Sequence, residues 1–210
     1  MSIRNVLREA ELRAAADPTS VLPALRGELA QLGFAFPTIY HAIELKKTHP
    51  EVIGPLALKY YQLAVRKQEK NYLLGWLPKK SAADAIPVLL EDFCSDADNI
   101  DHWAIADTLY TFASRKYIQD YLDIIADPGY GAARQMLVLL VGRLKVERAI
   151  PMLIGLLDDP CITAHAIIAL GRFRREELRP HFERFAACPD PLCRREARKA
   201  LARLEKPKDT

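Results

Sequence analysis

Trp103 and Asp107 stand four residues apart in a stretch whose apolar residues recur at helical spacing, so they share one helix face, and Tyr110 extends it by a turn. A carboxylate beside an indole suits two kinds of chemistry. It can stabilise a cation developing at a breaking bond while the ring stacks on a base. Alternatively, it can meet the basic side chains of a protein partner while the rings supply contact area. Asp96, Asp98 and Asp101 precede the pair and thicken its charge. Arg134, Gln135, Arg143 and His165 follow at second-helix positions and are expected to continue the same ridge.

Other reactive patterns do not occur in the chain. There is no GxGxxG, no P-loop, no GxSxG and no HExxH. Gly129-Tyr130-Gly131 follows Pro128 between helices and reads as a turn, not a phosphate cradle. The histidines (His41, His49, His102, His165, His181) lie in different segments. Cys188 and Cys193, with His165 and His181 nearby, lack the CxxC spacing of a zinc ribbon, so neither a metal nor a cofactor is expected. With Cys94 and Cys161 they read as reduced thiols and small apolar filler.

What must position these residues is a repeat. Pro23, Pro55, Pro87 and Pro151 fall in one 32-residue frame, with Gln119 in the remaining slot. Two residues on come Leu25, Ala57, Leu89, Tyr121 and Leu153; six on come Leu29, Tyr61, Phe93, Ile125 and Leu157. A second element keeps the frame through Ala42, Leu74, Ala106 and Val138, and through Leu45, Leu77, Leu109 and Val141. Val141-Gly142-Arg143-Leu144 is echoed by Leu170-Gly171-Arg172-Phe173, and Asp-Pro recurs at 127, 159 and 190. Each unit therefore reads as two helices. The proline sits in the first turn of the first, where its missing amide costs nothing, and Asp-Pro breaks between them. The second helix is expected over Cys161–Arg174, with Gly171 kept for close helix approach. No stretch alternates with period two, so no strand is expected.

The motifs Ala85-Ile86-Pro87-Val88-Leu89-Leu90, Ala149-Ile150-Pro151-Met152-Leu153-Ile154 and Ala164-His165-Ala166-Ile167-Ile168-Ala169-Leu170-Gly171 resemble HEAT repeats of the short, phycobilisome-lyase-like variety. The resemblance implies an all-α, right-handed solenoid of about six units, near 21–52, 53–84, 85–116, 117–148, 149–177 and 178–206. An N-terminal capping helix within 1–20 and a disordered tail at 207–210 complete the expected organisation. Such stacks leave a curved surface of second helices for a partner.

Trp103-x-x-x-Asp107 is also similar to the arrangement in HEAT-like DNA alkylation-repair glycosylases. That likeness implies stacking by Trp103, cation stabilisation by Asp107 and an arginine, Arg134 or Arg143, on phosphate. Charge argues the other way. Residues 84–127 hold 10 acidic and 2 basic side chains, whereas 128–210 hold 16 basic and 10 acidic, within a net charge of +3. An acidic centre would confront phosphates, so nucleic acid is not the expected partner there. The favoured reading is a non-catalytic module that meets a basic protein through Asp98, Asp101, Trp103, Asp107, Tyr110, Arg134, Gln135, Arg143 and His165. Gly131–Met136 resembles small bacterial HEAT-like proteins, and some repeat proteins of this size are immunity proteins that mask basic toxins. A structural scaffold is the third class. The first twenty residues hold no continuous apolar core, and the run Met136–Val141 is too short to cross a bilayer, so a cytoplasmic protein with no membrane contact is expected.

Overall fold

A computed structural model describes residues 3–36, 38–95 and 97–205. These form an all-α protein, with no strand among the described residues. Asp96, Ser2 and the expected tail at 207–210 lie outside them. No helix is long and apolar enough to cross a membrane among the described residues. The chain divides into two compact units, Met1–Thr108 and Leu109–Thr210.

The first unit holds α1 (Ile3–Ala16), α2 (Leu22–Gln31), α3 (Leu45–Thr48), α4 (Pro50–Leu63), α5 (Lys67–Leu74), α6 (Ala82–Phe93) and most of α7 (His102–Phe112). Leu25, Leu29, Ile53, Ala57, Tyr61, Leu89 and Phe93 are buried, which makes the frame positions the core-facing stripe of α2, α4 and α6. Ala42, Leu45, Leu74, Leu77 and Ala106 are buried as well. The prolines depart from expectation here. Pro23 opens α2, but Pro55 and Pro87 lie inside α4 and α6. The expected first-turn placement of Pro87 is therefore corrected. The cause is upstream: the 3-10 turn Lys79–Ser81 runs straight into α6, so that helix begins a turn early. Pro50 likewise starts α4 ahead of Pro55. Pro55 and Pro87 are both exposed, so their rings point away from the packed stripe.

A polar network ties this unit together. Glu69, buried, accepts hydrogen bonds from the Val21 amide at 3.0 Å and from Arg66 at 3.3 Å. Arg66 also reaches Asp17 at 3.0 Å. The buried Lys70 donates to Asp92 at 2.7 Å, with its ammonium 4.5 Å from the centre of the Tyr61 ring. A buried cation survives only when paired in this way.

The second unit continues α7 and adds α8 (Ile118–Ala126), α9 (Gln135–Arg143), α10 (Ile150–Gly155), α11 (Thr163–Leu170), α12 (Arg179–Glu183) and α13 (Pro191–Leu204). Pro151 sits in the first turn of α10. Tyr121, Ile125, Leu153 and Leu157 are buried, as are Leu109, Val138, Val141, Leu170 and Phe173. Each Asp-Pro aspartate turns its side chain onto the following backbone. Asp127 accepts from the Gly129 amide at 2.8 Å, Asp159 from Cys161 at 2.9 Å and Asp190 from Cys193 at 2.7 Å. The turn at Asp159 delays α11 to Thr163, two residues later than expected.

Three second helices in this unit pack closely: α11 lies against both α9 and α13. A Cβ on Gly142 would stand 2.6 Å from the Ala169 backbone, and one on Gly171 would stand 3.0 Å from the Ala200 methyl. Small residues let these helices approach, which is why glycine is kept despite a helix penalty of about 1 kcal/mol. The chain leaves α7, α9 and α11 through left-handed residues that are not glycine: Ala113, Lys145 and Arg174, with φ of 54°, 50° and 53°. After α9 the Val146 amide bonds the Val141 carbonyl and Lys145 bonds Gly142, the two-bond C-terminal cap of a Schellman motif.

Candidate functional site

The acidic and aromatic residues split between the two units. Asp98, Asp101, Trp103 and Asp107 belong to the first; Tyr110, Arg134, Gln135, Arg143 and His165 belong to the second. Each group is described within its own unit.

In the first unit the segment leading into α7 is moored to the turn after α4. Asn99 donates to the Val65 carbonyl at 3.2 Å, and Asn71 of α5 donates to Asp101 at 2.8 Å. Asp101 also accepts from the Ala104 amide at 3.1 Å, which makes it the N-cap of α7. Each of its oxygens accepts one hydrogen bond, so Asp101 serves the helix besides its expected place on the contact surface. Asp98 is exposed and Asp107 half-buried, and neither has an ion-pair or hydrogen-bond partner among the described residues. Trp103, in the first turn of α7, is 49% exposed. That is unusual for the largest apolar side chain, which folding ordinarily hides. Val65, whose carbonyl holds Asn99, and the nearby Leu63 are exposed too. Sequence spacing missed these two because they follow the last frame position of α4. Their only signal was a large apolar pair flanking Ala64 just past a helix end.

In the second unit the expected ridge residues are mostly engaged. Arg134 is 3% exposed. It donates to the carbonyls of Ile125 and Gly131 at 3.1 Å each and to Asp159 at 2.5 Å. It therefore locks the loop before α9 to the Asp159 turn and offers nothing to a partner or to a phosphate. That corrects its place on the contact surface. The reason is pairing: a guanidinium with three oxygen acceptors can be buried without leaving a bare charge. Gln135 donates to the Cys161 carbonyl at 2.8 Å and braces the same turn. Arg143, exposed, donates to the Tyr110 carbonyl at 3.0 Å, and its guanidinium lies 5.0 Å from the Tyr110 ring centre. A cation at the last carbonyls of a helix meets the negative end of its dipole. His165 is half-buried on α11, and burial lowers its pKa, which keeps the ring neutral. Cys193 is buried under α13, and that burial pushes its thiol up to about 11. No three His, Cys, Asp or Glu side chains gather into a metal-binding group among the described residues.

Chemically, the free elements are one exposed indole, two unpaired carboxylates and two exposed aliphatic side chains. Comparison of the chain with protein families, with curated proteins and with solved structures gives no match.

Proposed function

We propose that the protein is a non-catalytic binding module, a right-handed HEAT-type solenoid, that recognises a basic protein segment through the surface at the start of α7. The observation carrying this reading is Trp103, half exposed beside the unpaired Asp98 and Asp107. Exposed tryptophan is the residue type most enriched at binding hot spots, and carboxylates around it steer and orient cations. A basic toxin is one partner of this chemistry, and masking it would make the chain an immunity protein. A glycosylase reading draws less support, because Arg134 is spent on internal acceptors and Arg143 is engaged with Tyr110.

The test is association with the co-purified partner. Asp98→Lys with Asp107→Lys should slow association about ten-fold at low salt, with the effect shrinking as salt rises. Trp103→Ala should weaken binding by about 2 kcal/mol or more. A partner indifferent to all three substitutions places recognition elsewhere. Release of alkylated bases from DNA, abolished by Asp107→Asn, would replace the reading with the enzymatic one.

A further inference from the structure

The outer face of α13 is built from a different alphabet. Cys193, Glu196, Ala197 and Ala200 are buried on one side of the helix. Pro191, Arg194, Arg195, Arg198, Lys199 and Ala202 follow one another on the opposite side, where they line a shallow open groove. Their spacing of three and four residues sets them in a single stripe, so the four cations span little more than one helical turn, about 6 to 8 Å. The one carboxylate in contact with the stripe, Glu196, lies buried beneath it.

The cations are also held in place. Arg194 donates to the carbonyls of Cys188 at 2.7 Å and Pro189 at 3.1 Å. Arg198 uses Nε on the Ala186 carbonyl at 3.0 Å, and Arg195 uses Nε on the buried Glu196 at 2.8 Å. Lys199 reaches the same carboxylate at 2.8 Å. Arg195 and Arg198 are anchored through Nε, which leaves the paired terminal nitrogens of each guanidinium for a ligand. That fork is the part of arginine that matches a phosphate or carboxylate with two parallel hydrogen bonds.

We propose that this stripe binds the phosphate backbone of a duplex nucleic acid without regard to sequence. Four polyanions compete for such a surface, and the missing residues decide among them. An acidic protein needs an aromatic or aliphatic anchor at the centre of the contact, and the stripe has only Pro191 and Ala202 besides its cations. An anionic membrane needs an apolar helix face to insert, and that face of α13 is buried in the unit. Single strands bind by stacking bases on aromatic rings, which the stripe lacks. Duplex phosphates need cations alone. The charge argument against nucleic acid at Trp103 does not reach here, because it rests on the acidic segment 84–127.

The experiment is fluorescence anisotropy of the full chain with a labelled DNA duplex of about two helical turns, between about 50 and 200 mM salt. Four phosphate contacts give a slope of log affinity against log salt of about −3.6. Arg198→Gln with Lys199→Gln, which keeps Arg195 on Glu196, should bring that slope to about −1.8 at an unchanged melting temperature. Should the double variant melt early, Arg198→Gln alone should shift the slope by about 0.9. Absence of binding at the lowest salt, or a slope untouched by these substitutions, overturns the proposal. So does equally tight binding of polyglutamate, which would make the stripe an acidic-protein surface.

Discussion

The two units solve the same packing problem with different materials. In the second, α9, α11 and α13 approach through Gly142–Ala169 and Gly171–Ala200, and each Asp-Pro turn is closed by its own aspartate. The first makes the same turn once, where Asp17 accepts from the Thr19 amide at 2.8 Å, and its close approach at Gly54 meets the Ser81 side chain in place of backbone. Both units bury paired charges, Glu69 and Lys70 in the first and Arg134 and Glu196 in the second, but the first carries Pro55 and Pro87 inside helices where Pro151, Pro180 and Pro191 open theirs. Regular repeats place local geometry in register, so small residues can stack and short turns can repeat. An apolar frame can thus persist through a repeat whose backbone loses its uniformity.

Five substitutions probe that contrast. Gly142→Ala should be the most costly, about 2–3 kcal/mol, because its new methyl meets Ala169 backbone that cannot step aside. Gly54→Ala in the first unit should cost about 1 kcal/mol, since the atom in its way is the Ser81 hydroxyl, which can rotate. Denaturant midpoints measure both, and equal losses would erase the distinction between the units. Next in size, Pro87→Ala should stabilise by about 2 kcal/mol: removing an interior proline gains about 3, and the freer unfolded chain takes back up to about 1. Pro151→Ala, in a first turn, should instead lose up to about 1 kcal/mol. The last test is a transplant. Gly33 ends α2 with the same pair of bonds, Phe34 to Leu29 and Gly33 to Ala30, that Lys145 makes after α9. Lys145→Gly should therefore stabilise the chain by about 1 kcal/mol by relieving a left-handed Cβ, and a melting temperature that fails to rise would show the lysine stem compensates.

Much of the core was legible in the sequence, and the reason is physical. Positions two and six after each frame proline recur on one helical face, so Leu25 through Leu157 could be assigned to the interior by period alone. Helix starts were less legible. Where α6 begins depends on whether Lys79–Ser81 joins it, and no apolar period encodes that. Arg134 misled because residue type marks arginine as surface, while its burial depends on Asp159, 25 residues away. Asp101 carried a signal that went unread. An aspartate directly before a helical pattern is a capping signal, and weighing it as free charge overlooked a local rule. Ala113, Lys145 and Arg174 carried no glycine to announce their left-handed backbone.

The chain's 2 tryptophans both fall in the first unit, Trp76 fully buried and Trp103 half exposed. Tryptophan emission is consequently a private optical channel of residues 1–108, silent about the rest. Its blue component reports the core around Trp76, and its quencher-accessible red component reports the surface at α7. Circular dichroism sums the helices of both units. Overlaying the two signals along one melting curve would separate the unit of tight small-residue stacking from the unit with prolines inside its helices, without a label or a cut in the chain.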